Sequence, residues 1–339
     1  MVLSVPPPDD HPTVLADWLE LAALESVRGR IHFANLASAL DLDQDFEEEN
    51  IGDRDAAMEE VIARAAEEID QRRRCLGTAY PFSVSGNGDC LILSEAPDLG
   101  GYVYLFCLAI SHATRSPILR ENQLPDTSSS TRDLFQICAT LCAAGDCRGP
   151  AISFGSPRAD HSAFAAKLRD TYERFGEGTT RSQPLPAAPV TPKDDGVDVI
   201  AWRDTPDGLA GKSIYLLGQA ASGRNWETKS VKEVIHVFHH TWFEVEPTST
   251  PTPAMFIPFC LEEPQARSGE FTPQERLRSR MELLTKKFGI LYYRYRLPHN
   301  AAEAQRMADA GIEPIEGLDQ IHQLQEWVQS FRMQLRPEP

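Results

Sequence analysis

The stretch KDDGVDVIAWRD, Lys193–Asp204, followed by TPDGLAG and then KSIYLLGQAASG, Lys212–Gly223, decides how this chain is read. VDVIAW and SIYLLG are apolar runs of strand length, and the Pro, Asp and Gly residues between them are turn chemistry. The pair therefore predicts two adjacent strands. Asp194, Asp195 and Asp198 stand at the head of the first, and Gln219 stands at the end of the second. Asp194, Asp195 and Gly196 also make an ordinary turn before a strand. Asp198 differs, because it lies within an apolar run, where an unpaired carboxylate is costly to bury.

Beyond Gly223 the pattern predicts a helix from Asn225 to about Trp242, the strand-like AMFIPF, a helix over Pro273–Phe288 and the strand GILYYRYRL. Helices near Ala301–Ala310 and Leu318–Arg332 follow. Upstream, helices are predicted at Thr131–Ala144 and His161–Phe175, before a Pro-, Ser- and Thr-rich loop from Gly176 to Lys193. Strands alternating with helices imply an α/β layer arrangement, a central mixed sheet flanked by helices.

The polar segment ENQLPDTSSSTRD, Glu121–Asp133, marks a domain boundary. It separates an N-terminal domain, residues 1–120, from a second domain, residues 131–339. In the first, Leu15, Trp18, Leu19 and Ala22 have helical spacing behind Asp10 or Thr13 as a cap. A short helix over His32–Leu42, an acidic loop over Asp41–Asp55 and a long polar helix over Asp55–Arg74 come next. AYPFSVSGNGDCLILSE then reads as a hairpin turning at Asn87-Gly88. This mostly helical domain with its hairpin resembles a winged helix, with an α+β docking domain as the alternative that its acidity favours.

The chain of 339 residues is long enough for two cores. Its net charge of −17 argues against coating nucleic acid through bulk electrostatics. Residues 1–120 hold 9 Lys and Arg against 21 Asp and Glu, whereas the remainder holds 24 against 29, so any contact with DNA falls to the second part. Seven cysteines without a CxxC pair read as reduced thiols. No apolar run approaches the ~20 residues needed to span a bilayer. The first residues lack a basic and apolar signal, which reads as a cytoplasmic protein.

The segment from Asp194 to Lys229 resembles the active-site core of PD-(D/E)XK nucleases, specifically the Mrr-like branch of restriction endonucleases and its Holliday-junction-resolvase relatives. That branch places an Asp in a G-[IV]-D context and a Glu or Gln at the end of the next strand, followed after one residue by Lys. Gly196-Val197-Asp198 and Gln219 match, and the lysine position is Ala221. Over Thr131–Pro258 the resemblance implies a restriction-endonuclease-like fold and Mg2+- or Mn2+-dependent hydrolysis of DNA. It also implies a role in bacterial antiphage or restriction-type defence, with operon-encoded protein partners or a homodimer.

On this resemblance Asp198, Asp195 and Gln219 would hold the metal. The family's helix-borne Glu falls on Gln136 in DLFQICATLCAA, so Glu177 is the substitute carboxylate. Lys229 or Lys193 would replace the missing amine. The absent lysine keeps open a second reading, a catalytically inactive scaffold subunit.

Three further features are candidates. His236, His239 and His240 have spacing that can ligate zinc but lack HExxH, which favours packing or surface histidines. Arg294 and Arg296 alternate with tyrosines, which suits either a nucleic-acid backbone or an ordinary sheet face. FGSPR, Phe154–Arg158, has no assigned role.

Overall fold

A five-stranded mixed sheet carries the aspartate stretch. Its strands are β4 (Ala151–Ser153), β6 (Val199–Trp202), β7 (Tyr215–Ala220), β9 (Thr252–Phe256) and β10 (Ile290–Tyr292), in the order β10-β9-β7-β6-β4. The β6–β7 pair is antiparallel, with Val199 opposite Gly218, as the two apolar runs predict. β9 and β10 run parallel to β7, and β4 runs antiparallel to β6. The computed structural model describes residues 7, 11–41, 51–113, 116–158, 160–190, 192–262, 264 and 271–336, with the backbone alone at 41 and 51–55.

Helices cover both faces of this sheet. On one side lie α5 (Ser129–Cys147) and α9 (Leu297–Asp309), whose axes approach so closely that a methyl group on Gly145 would lie 1.9 Å from Asn300 O. On the other lie α6 (Phe164–Phe175) and α7 (Val231–Trp242), which bury Ile200, Trp202, Tyr215 and Leu217 with Phe154, Phe238 and Trp242, and α8 (Pro273–Phe288), whose Leu284 and Phe288 pack with Met255 and Leu291. Thr272 and Glu275 form a reciprocal capping box that starts α8. A two-stranded sheet, β5 (Thr179–Thr180) with β8 (Phe243–Val245), lies within the predicted loop Gly176–Lys193 and just after α7.

The other unit contains α1 (Pro12–Glu25), β1 (Arg30–His32), α2 (Ala34–Asp41), α3 (Ile51–Leu76), β2 (Phe82–Val84), β3 (Cys90–Leu93) and α4 (Leu99–Ser111). β1 joins the hairpin in a sheet of order β1-β3-β2. α1 buries Leu15, Trp18, Leu19 and Ala22, the residues that announce it in sequence. His11 caps it by accepting from Thr13 N; Asp10 and residues 42–50 of the acidic loop lie outside the described residues.

Division by contacts places Met1–Thr127 together with His322–Pro339 in one unit and Ser128–Ile321 in the other. The expected second domain, residues 131–339, is therefore too long. The last helix, α10 (Ile321–Leu335), packs Trp327 edge-on against Phe106, and its Arg332 donates to Leu24 O. Its apolar stripe finds its core among helices from the start of the chain, a pairing no local pattern announces.

Two other expectations change. GILYYRYRL is a strand only over Ile290–Tyr292, after which the chain turns into α9; Arg294 is buried instead of lining an open face. The helix expected from Asn225 starts at Val231, after a 3-10 turn at Trp226–Thr228, so Lys229 sits in extended backbone before it. Among the described residues no helix is long and apolar enough to cross a membrane.

Candidate functional site

Asp198 stands one residue ahead of β6 and is fixed by β7 on one side and by the residues just past β4 on the other. Its N–H donates to Gly218 O at 2.8 Å, while its own carbonyl accepts from Phe154 N at 2.7 Å and Gly155 N at 3.0 Å. Its carboxylate Oδ2 accepts from Ala220 N at 2.9 Å, so Asp198 is bonded to the residues on either side of Gln219. Gln219 Oε1 is buried and has no hydrogen-bond partner among the described residues. An orphaned buried acceptor costs about 1–3 kcal/mol, which makes it a place where a ligand would be favoured.

Gln136 reaches the same point from α5. A methyl group on Gly155 would lie 2.1 Å from Gln136 Oε1 and 2.7 Å from Asp198 Oδ1, so only glycine lets these two oxygens converge above the backbone. Gln136 Nε2 donates to Ser153 Oγ at 2.7 Å, which aims the amide oxygen away from Ser153. Ser153 N in turn donates to Glu316 Oε2, and Glu316 Oε1 pairs with Lys167 at 2.6 Å. Burial opposes the charge of Lys167, but Asp160 and Glu316 together hold its ammonium above the usual range. Sequence reasoning missed Gly155, Lys167 and Glu316; the small residues of FGSPR were the only local signal.

Electrostatics mark the centre. Burial and the neighbouring Asp194 carboxylate raise the Asp198 carboxyl to about 7, against the Ala220 N–H and the Lys229 ammonium, which favour its charged form. Asp194 closes a turn by accepting from Gly196 N at 2.9 Å. Lys229 is thus the expected amine that the fold brings within electrostatic reach of Asp198. Lys193 exposes its side chain and gives its carbonyl to Arg158, whose guanidinium lies over Phe154 and Phe164.

Two expected ligands lie elsewhere. Glu177 accepts from Gly211 N, Lys212 N, Ser249 N and Ser249 Oγ, ahead of β7, whereas Asp198 binds the far end of that strand. Ala220, which donates to Asp198, is the sixth residue of that strand, in which each residue rises about 3.3 Å. The four donors hold its carboxyl below the usual range despite its burial. Asp195 adopts φ of 52° and turns its Oδ2 to the Trp242 indole N–H at 2.7 Å, which removes it from the metal set.

The histidines do not form a zinc centre. His239 is buried, where desolvation depresses its pKa, and its Nε2 meets Tyr215 Oη at 3.0 Å; His236 and His240 are exposed. A basic surface does adjoin the Lys229 segment. Lys232 Nζ donates to Lys286 O, and Lys287 Nζ donates to Glu227 O. Exposed Lys229, Lys232, Lys286 and Lys287 therefore share one neighbourhood.

The donor set fits a hard divalent cation. Asp198 offers one carboxylate and Gln136 and Gln219 offer amide oxygens, and Mg2+ is commonly held by one or two carboxylates with water completing its shell. Comparison with protein-family models, curated proteins and solved structures finds no match to this chain.

Proposed function

We propose that the unit built on the five-stranded sheet is a divalent-metal-dependent phosphodiesterase, an endonuclease that cuts DNA at a centre formed by Asp198. The observation that carries this reading is the convergence of Asp198 Oδ1 and Gln136 Oε1 over Gly155, beside the unpartnered Gln219 Oε1. Mg2+ or Mn2+, when bound, supplies Lewis-acid stabilisation of charge developing on a phosphoryl oxygen. Asp198, half-ionised near neutral pH, gives the negative charge that holds the cation, and the two glutamines orient it. Lys229 offsets phosphate charge at the centre, and Lys232, Lys286 and Lys287 position the flanking backbone without reading its sequence. A place in antiphage or restriction-type defence rests on the resemblance of Gly196–Asp198 and Gln219.

Cleavage of supercoiled plasmid by the whole chain in Mn2+ tests this, with Asp198→Asn as the isosteric comparison. Nicking by wild type that disappears in Asp198→Asn is the outcome that agrees. Equal nicking by the two proteins, or none by wild type, overturns it.

One observation favours the inactive scaffold instead. Ala221, where the family lysine falls, is buried with Trp226, Met255 and Phe288 in a closed apolar cluster. An amine cannot enter from that position, so catalysis depends on Lys229 from outside the strand. Mn2+ binding without nicking would select this second reading.

A further inference from the structure

The second unit does not hold the only convergence of ligand-type side chains. In the hairpin unit, His32 and Cys90 are opposite each other on β1 and β3. The backbone bonds Leu93 N to Gly29 O and Phe33 N to Asp89 O alternate past them, so the pair is of the non-hydrogen-bonded kind, in which side chains stand closest. His32 Nδ1 lies 3.2 Å from Cys90 Sγ and 3.9 Å from Asp89 Oδ2, and the three ligand atoms all lie within 4.8 Å of one another.

These separations suit a common ion. Zn2+ bonds of about 2.0–2.3 Å to nitrogen, oxygen and sulfur place neighbouring ligands of a tetrahedron roughly 3.3–3.6 Å apart, between the two observed distances. The turn prepares the carboxylate: Ser85 Oγ donates to Asp89 Oδ1 and Asn87 Nδ2 donates to Asp89 Oδ2. Outer hydrogen bonds of this sort are how ligating carboxylates are oriented. Sulfur and imidazole select a borderline-soft ion over Mg2+, which sets this cluster apart from the all-oxygen set at Asp198.

We propose that His32, Asp89 and Cys90 form a three-ligand site for a divalent transition-metal ion of the Zn2+ and Co2+ class at the tip of the β1–β3 pair. Cys90 binds as thiolate and releases its proton to solvent. His32 and Asp89 are exposed, so a fourth position remains open to water. The three ligands join β1 to the hairpin turn, and the ion therefore staples that edge of the sheet.

The test is Co2+ titration of the full chain in an Asp198→Asn background, followed by the thiolate-to-Co2+ charge-transfer band and the visible d–d bands. One equivalent of Co2+ displaced by Zn2+ is the expected result. Cys90→Ser should abolish the charge-transfer band, His32→Ala and Asp89→Asn should each weaken binding at least about tenfold, and Cys75→Ser at the exposed cysteine should change neither. Circular dichroism of each variant shows whether it folds. No thiolate band in the parent protein, or a band that survives Cys90→Ser, overturns the site.

Discussion

The Asp198 carboxylate accepts a hydrogen bond from the backbone N–H of Ala220 at 2.9 Å, yet its pKa is raised to about 7. One donor does not offset burial and the adjacent Asp194. The balance makes Asp198 a group that costs stability when ionised and returns it when a cation arrives.

The first prediction follows from the sign of that shift. The folded-state value of about 7 exceeds the ordinary 3.8, so the native state holds a proton that the unfolded chain releases. This stabilising contribution is complete below about pH 4 and is lost as pH rises to 7. A shift of that size corresponds to about 4 kcal/mol, and partial solvent access reduces it to on the order of 2 kcal/mol. In EDTA, Asp198→Asn should melt higher than wild type at pH 8 and nearly equal to it at pH 4. Calorimetric scans at the two pH values check this.

Gln136→Glu should convert the centre to two carboxylates above Gly155. Ligand charge governs the affinity of hard-cation sites, so Mn2+ should bind at least about tenfold more tightly by titration calorimetry. Without metal the paired charges should lower the melting temperature. Unchanged Mn2+ affinity would show that Gln136 is not a ligand.

Glu177→Gln should act on stability alone. Its carboxylate gathers Gly211 N, Lys212 N and Ser249, and a hydrogen bond to a charged acceptor is worth about 1.5–3 kcal/mol. A loss of roughly 2 kcal/mol in urea unfolding with intact Mn2+ binding is expected. A selective loss of metal binding would return Glu177 to the site.

Arg72 gives the corresponding test in the hairpin unit. It is fully buried, with ion pairs to Asp17 at 2.7 Å, Glu20 at 2.9 Å and Glu68 at 3.0 Å, and Tyr80 and Tyr104 donate to Glu20. Arg72→Ala removes the cation that faces the buried Asp17 and Glu20 carboxylates, at a cost of about 3–5 kcal/mol. Arg72→Ala together with Glu20→Gln should recover part of that loss in the same denaturation assay.

What was legible in sequence was whatever a short window contains. The β6–β7 pair followed from two apolar runs and a turn, α1 from its helical spacing, and the weight on Asp198 from a carboxylate within an apolar run. Glu177 and Asp195 were misplaced because nearness along the chain is a poor guide to where a carboxylate points. One satisfies a ring of backbone donors and the other an indole. Arg294 misled because alternation with tyrosines persists where the strand itself has ended. Gly155 and Glu316 were invisible, since each has meaning only through residues brought beside it by the sheet.

The grouping of α10 with the first helices has a consequence for the order in which the protein comes into being. During synthesis, Ser128–Ile321 leaves the ribosome as one uninterrupted segment and has all of its own strands and helices to hand. The hairpin unit, begun earlier, must wait with Phe106 and the Leu24 carbonyl uncovered until Trp327 and Arg332 are made. The part translated first is thus the part completed last.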